Sequence, residues 1–230
     1  AQITATGRML VTLFPWKGKL YAGYGDYGAN TGPIAIMGFD PATRTFTGEW
    51  IANTEAIHAF RAIRGCVYVP SIDRKSYGEP GDFAILDSAG AWTNRDCGST
   101  THAYDVAALG DSDLFVVGSK NLRAAVFHST NRGATWRIAQ QDTALSGSPD
   151  DFARYYFAAV LNGNLYVQAR DYNGTLHPSS KIFNGVEWGD GPDFFSALPS
   201  ALGWKPEEFA GKLVYRAHRK NQKPCAKNSV

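Results

Sequence analysis

Charge is scarce in this sequence. Charged residues make up 19% of the 230, with a net charge of only +2, so the concentrated basic face that nucleic acid requires is not there. The one basic run, Arg216, Arg219, Lys220, Lys223 and Lys227, reads as a solvated tail. Cysteine is scarcer still. Cys66, Cys97 and Cys225 are too few and too irregularly spaced for a disulfide framework or a zinc site. Within the apolar run Cys66 to Val69, Cys66 reads as a buried free thiol. No apolar run approaches the ~18 residues of a membrane span. No signal peptide is visible, and a start at Ala1 instead of Met leads one to expect a processed or excised segment. Phosphate-binding glycine loops, Ser-His-Asp patterns and zinc motifs are all missing, so neither cofactor nor metal is expected. Asn173-Gly174-Thr175 fits a glycosylation sequon, relevant only to a eukaryotic secretory protein.

What is present points to short strands. Hydrophobic residues reach 44%, aromatics 13%, and there are 24 glycines, a composition suited to strands joined by tight turns. A motif of small polar turn followed by apolar-aromatic strand recurs around Leu20, Val67, Leu114, Leu165 and Leu213, at intervals of 47, 47, 51 and 48 residues. Another strand precedes the inner markers (Ala59 to Ile63, Ala103 to Ala108, Tyr155 to Leu161). A third follows (Ile34 to Phe39, Phe83 to Leu86, Ala124 to Phe127, Lys181 to Phe183), and a fourth opens at Phe46, Trp92, Trp136 and Trp188. Four short strands in a repeat of about 40–50 residues are the signature of a β-propeller blade. The expectation is therefore an all-β, single-domain chain over 1–230, a propeller of about five four-stranded antiparallel blades. Too little chain follows Leu213 for a complete last blade. An N-terminal strand within residues 1–7 (Gln2 to Thr6) is expected to close the ring, with Cys225 to Val230 as a further strand. The alternative is a fragment of a larger propeller.

Ser129-Thr130-Asn131-Arg132-Gly133-Ala134-Thr135-Trp136 resembles the Asp-box (BNR) repeat of sialidases and related propellers, with Asn131 at the usual aspartate. Degenerate relatives stand at Asp87 to Trp92 and Asn184 to Trp188, whereas Asp40-Pro41-Ala42-Thr43 differs. In that family the box is structural and lies away from the active face, so the resemblance implies a fold rather than sialidase activity. The arginine triad and tyrosine–glutamate pair of a sialidase cannot be assembled from this chain.

With strands labelled A to D outward from the axis, the B–C and D–A loops share one face of a blade. Six residues beyond the markers stand Asp26, Asp73, Lys120, Asp171 and Arg219, a charged ring whose acids also suit ordinary turn formation. The D–A loops bring His58-Ala59-Phe60, His102-Ala103-Tyr104 and Arg154-Tyr155-Tyr156 towards the axis, where each His could equally serve a local hydrogen bond. Shared proximity predicts carboxyl pKa values lowered by Arg154 and histidine pKa values raised by the acids.

Three functions remain open. A glycan-binding module, an adhesin or phage-tail-type receptor binder at the cell exterior or virion surface, would use Tyr24, Tyr27, Tyr77, Tyr155 and Tyr172 as platforms. His58, His102, Arg154, Lys120 and Arg219 would supply polar contacts to the carbohydrate. A glycoside hydrolase would need two carboxyls flanking the scissile bond, drawn from Asp26, Asp73 and Asp171. A protein-interaction scaffold would need neither.

Overall fold

A computed structural model describes residues 10–25, 32–76, 78–142, 153–171, 180–192 and 206–214, apart from the side chains of 169–171. Every helix or strand among them is a β-strand. The first sheet comprises β1 (Leu10–Trp16), β2 (Lys19–Tyr24), β3 (Ile34–Asp40) and β4 (Thr45–Ala52). The second comprises β5 (Arg61–Ile63), β6 (Cys66–Pro70), β7 (Phe83–Leu86) and β8 (Trp92–Arg95). The third is β9 (His102–Leu109), β10 (Asp113–Lys120), β11 (Arg123–Ser129) and β12 (Arg137–Gln141). The fourth is β13 (Ala153–Leu161), β14 (Asn164–Asp171), β15 (Ser180–Phe183) and β16 (Trp188–Asp190), followed by the hairpin β17 (Glu207–Phe209) and β18 (Lys212–Val214). Each four-stranded sheet is an antiparallel meander in chain order. No helix among the described residues is long and apolar enough to cross a membrane.

Turn chemistry explains the regularity. Four of the first hairpins turn on a residue–glycine pair in which both φ angles are positive: Lys17-Gly18 (45° and 80°), Arg64-Gly65 (50° and 78°), Asn162-Gly163 (50° and 75°) and Ala210-Gly211 (50° and 72°). That is the backbone of a two-residue turn whose twist matches its strands, and it is why small polar turns announce each repeat. The third sheet departs, turning through Gly110 to Ser112.

The turn between the third and fourth strands is held by a short side chain in each of the four-stranded sheets. Asp40 Oδ1 accepts from the Ala42 amide (2.8 Å), Asp87 Oδ1 from the Ala91 amide (2.8 Å), and Asn184 Oδ1 from the Val186 and Glu187 amides (2.9 Å each). In the third sheet Ser129 Oγ accepts from the Gly133 amide (2.8 Å) and Asn131 Oδ1 from the Thr135 amide (2.8 Å). The Trp136 indole N–H there donates to the Gly133 carbonyl (3.0 Å).

The core consists of layers between successive sheets. Val67 and Val69 of β6 pack with Tyr21, Ile36 and Trp92 between the first and second sheets. Tyr68, the residue between them, packs with Leu114, Val116 and Phe127 between the second and third. Phe115 and Val117 then pack with Leu165, Val167 and Phe183 between the third and fourth. Side chains alternate faces along a strand, so a strand buried on both faces reads as an unbroken apolar run. Val67, Leu114 and Leu165 thus occupy one repeated buried site, each facing the preceding sheet. Leu20 and Leu213 are only half-buried, since no described sheet precedes the first and the last hairpin is incomplete among the described residues. The tryptophans that open the fourth strands are not equally buried. Trp92 is buried, whereas Trp136 and Trp188 are half-buried, edge-on to Phe83 of the preceding sheet and against Phe183 of their own sheet respectively. Cys66 is half-buried and free, and Cys97 is the buried thiol.

Polar ties reinforce the stack. Glu49 on β4 accepts from Lys19 Nζ (2.6 Å), Tyr21 Oη (2.9 Å) and the Trp92 indole N–H (3.2 Å), joining two sheets. Nearer the middle, Arg61 at the start of β5 forks onto the fully buried Asp105 of β9 at 2.7 and 2.9 Å, and also pairs with Glu207 of β17. Asp105 accepts as well from the Ala158 amide of β13 (3.1 Å). One guanidinium–carboxylate unit therefore links the first strands of several sheets, an arrangement that fits a propeller-like fold.

Candidate functional site

The ends of the second strands and the starts of the first strands lie on one face, and a recurring backbone contact joins them. The Ile57 amide donates to the Tyr24 carbonyl (2.7 Å) and the Ala103 amide to the Ser71 carbonyl (2.8 Å), each acceptor standing four residues beyond its marker. Within this face the loop after β4 is bolted to the loop after β6. Asn53 Oδ1 accepts from the Lys75 and Ser76 amides (3.0 and 2.8 Å), and its amide nitrogen donates to the Ser76 carbonyl (2.8 Å). Thr54 Oγ1 accepts from the Ile72 amide (3.0 Å), and the Glu55 amide donates to the Asp73 carbonyl (3.1 Å). These bonds bring two acidic residues together at the backbone.

The second anchor is Asp82. Fully buried, its carboxylate accepts from Arg74 (2.8 Å), from the Cys97, Ser99 and Thr100 amides (2.7, 3.1 and 2.9 Å) and from the Thr100 hydroxyl (2.8 Å). Arg74 also pairs with Asp96. The loop leading to His102 is thereby held against the second sheet.

Between these anchors sits a mixed polar and aromatic cluster. Ala56, Ile72, Tyr104 and Tyr156 pack together as its apolar part. Arg154 NH1 donates to Tyr104 Oη (2.6 Å), and NH2 lies 3.2 Å from His102 Nε2. Burial, and then Arg154, push the His102 pKa down to about 3. The ring is therefore neutral, accepting from Arg154 at Nε2 and donating from Nδ1 to Ser119 Oγ (3.1 Å). Burial raises the Tyr104 hydroxyl well above its ordinary value. Burial, and then Asp73, push Glu55 up to about 7 against the pull of Lys75 and Arg154. Asp73 is raised too, by burial, with Lys75, Arg154 and the Arg74 amide opposing. The expected signs are thus reversed, because loss of water outweighs Arg154 at both acids and acts with Arg154 at His102.

Of the anticipated residues, Asp73, His102 and Arg154 come together here. His102 and Arg154 are truly equivalent: each pairs with the residue five beyond its marker, Ser119 and Arg170. His58 is half-buried and precedes the short β5, whose pairing begins only at Arg61, so it does not share that register. Lys120 donates instead to the Gly98 carbonyl. Tyr155 is fully buried, its hydroxyl donating to Asp142 (2.8 Å), and Tyr24 is buried with its hydroxyl on the Ala35 carbonyl (2.6 Å). Neither presents an open ring face, and Tyr156, one residue on, is the half-buried tyrosine beside Tyr104. Asp171 ends β14, opposite Ala153, its side chain not among those described. Asp26, Tyr27, Tyr77, Tyr172 and Arg219 lie outside the described residues, as do residues 1–7 and 225–230. Glu55 and Lys75 were missed. Their signal was the run Asn53-Thr54, side chains that hold backbone amides just after a strand.

No three or more acidic, His or Cys side chains are grouped to hold a metal ion among the described residues. A shallow hollow of about 490 Å³ lined by Pro15 to Leu20 and Pro41 lies at the β1–β2 turn, on the opposite face.

No family model matches the chain, and no curated protein matches it. Among solved structures it is similar to the extracellular domain of BT4673 of B. thetaiotaomicron, described as part of a one-component system, at 9% identity and a TM-score of 0.55 over 90% of this chain and 26% of that one. A second structure of that extracellular domain, described as part of a hybrid two-component system, aligns at 10% identity with a TM-score of 0.53, covering 92% and 26%. The chain spans about a quarter of the length of these structures, 26%. At such identities the likeness is one of fold, and the fold is all-β and propeller-like.

Proposed function

We propose that the face bearing Glu55, Asp73, His102 and Arg154 binds carbohydrate, as the ligand surface of an extracellular or virion-surface propeller module. The observation that carries this reading is the cluster itself. Cationic donors (Lys75, Arg154), carboxyl acceptors (Glu55, Asp73) and two tyrosine rings (Tyr104, Tyr156) converge where first strands begin. A polyhydroxylated ring needs donors, acceptors and an apolar face together, and this set offers all of them. Asp26, Tyr27, Asp171, Tyr172 and Arg219 would extend the same surface, with His58 and Lys120 at its margin. Around it we infer five blades, the last completed by residues 1–7, with the Ser129 to Trp136 turn as an Asp-box on the far side.

One observation favours a second reading, hydrolysis. A carboxyl pushed up to about 7 beside another carboxyl, Glu55 beside Asp73, has the character of a general acid. A glycan array run beside a reducing-sugar release assay separates the two. Binding without release supports the recognition module, release of reducing ends replaces it with a glycosidase, and neither leaves the face without a carbohydrate role.

A further inference from the structure

No described sheet precedes the first, and the side it turns that way is apolar. Pro15, Leu20, Phe39 and Phe46 stand opposite one another across its four strands. Residues paired in this way share a face, so they form one row. Its counterpart in the second sheet holds Val67, Leu86 and Trp92, which are buried together with Tyr21 of the first sheet. In the first sheet the row stays open: Pro15 and Phe46 are exposed, Phe46 at 55%, and Leu20 and Phe39 are half-buried. The hollow of about 490 Å³ shares Pro15 and Leu20 with this row and adds Pro41. Contiguous exposed apolar surface beside a hollow is the mark of a contact surface.

The hairpin β17–β18 carries the matching half. It turns on Ala210-Gly211 with the same pair of positive φ angles as Lys17-Gly18. Phe209 opposite Lys212 therefore stands where Trp16 opposite Lys19 stands, and Val214 stands where Tyr21 does. Trp16 and Tyr21 are side chains that pack the first sheet against the second. Phe209 and Val214 are instead 73% and 53% exposed. Glu207, on the same face of the hairpin, pairs with Arg61 of the second sheet. That ion pair brings the end of the chain back beside the beginning of the stack.

We propose that the hollow beside Pro15, Leu20 and Pro41 is the seat of Phe209 from the same chain, so that the hairpin clasps the first sheet and shuts the ring. Register assigns the occupant, since the residue equivalent to Trp16 meets the row equivalent to that of Val67. The row itself carries no charge, which suits an aromatic side chain. The Arg61–Glu207 pair favours the chain's own hairpin over that of a second copy, because it already holds this hairpin close. The clasp rests on the five-bladed arrangement and is independent of the carbohydrate reading.

The test is a cross-link in the intact chain carrying Cys66→Ser and Cys225→Ser, which leaves the buried Cys97 as its native thiol. Pro41→Cys and Lys212→Cys are added at exposed positions, so the core is untouched and Phe209 is kept. Packed sheets lie about 10 Å apart, within reach of a short bismaleimide. The expected product is a bridged single chain, read by intact mass, and Phe209→Ala should slow its formation severalfold. Leu122→Cys in place of Lys212→Cys puts the second thiol on the opposite face and should not bridge; equal bridging there overturns the clasp. A bridge found only between two chains overturns it too, the seat then belonging to a second copy. In the otherwise wild-type chain, Phe209→Ala and Leu20→Ala should each lower the urea midpoint, and their losses should fall short of adding; strict additivity counts against the contact. Small-angle X-ray scattering separates the remaining failures. No bridge in a chain that scatters as a closed ring overturns the seat and leaves the five blades standing, whereas no bridge in an open arc removes both.

Discussion

Replacing Asp82 by asparagine changes almost no volume but removes an acceptor from a buried carboxylate that takes five hydrogen bonds. Its two oxygens are partnered unequally: Oδ1 accepts from Arg74, the Thr100 amide and the Thr100 hydroxyl, and Oδ2 from the Cys97 and Ser99 amides. Asparagine must turn its NH2 towards one set. The less damaging choice faces Cys97 and Ser99, leaving two amide donors against a donor. Each lost bond to a charged acceptor costs about 1.5–3 kcal/mol, so the variant should lose about 3–5 kcal/mol after partial relaxation. That is a large share of the about 5–15 kcal/mol that holds a domain folded, and it corresponds to a fall in Tm of about 10 °C for a chain of this length. Urea denaturation measures the loss, and hydrogen exchange localises it. The Cys97 and Ser99 amides should exchange far faster in Asp82→Asn, while amides in β1 to β3 respond only through global stability. A loss below about 1 kcal/mol with unchanged exchange at Cys97 and Ser99 would refute the assignment of Asp82 as the anchor of this loop.

Arg61→Met should destabilise by about 3–5 kcal/mol, because it strands the buried Asp105 without its guanidinium. A cycle with Asp105→Asn, read by denaturation, should show strong coupling, and additivity would count against the tie. Phe115→Ala, in the layer between the third and fourth sheets, should cost about 3–5 kcal/mol in the same measurement. Glu55 binds its proton more tightly folded than unfolded, its pKa raised from 4.5 to about 7. Stability should therefore fall as pH rises across that window, and thermal melts of Glu55→Gln should be flatter there and higher at pH 8. His102 has the opposite sense: its folded value is lowered from 6.5 to about 3, so stability should fall as pH drops below 6.5. His102→Gln should remove that slope.

The repeat was legible because it rests on local rules. A short turn, with a glycine in a two-residue turn everywhere but in the third sheet, followed by an apolar-aromatic run needs no knowledge of neighbours, and the two together located the second strand of each sheet. The site was legible only in part. Asp73, His102 and Arg154 were reachable by counting from the markers, but Glu55 sits in a loop outside the repeat register and is fixed by contacts to the next sheet. Tyr155 and Tyr156 could be told apart only by asking which shares a face with Arg154, and period-two alternation answers Tyr156. The direction of the titrations depended on burial, which a sequence does not display.

The alternation along β6 and β10 has a consequence for how mutations combine. Val67 and Tyr68 are covalent neighbours, yet they belong to different layers, one with Tyr21 and the other with Leu114. Each middle strand therefore behaves as an energetic partition: damage at Val67 is felt by residues some 45 positions earlier, and damage at Tyr68 by residues some 45 positions later. Truncations at Val67 and Tyr68 should simply add, while Tyr68 paired with Leu114 should not. Distance along the chain and distance in free energy are nearly interchanged in such a molecule.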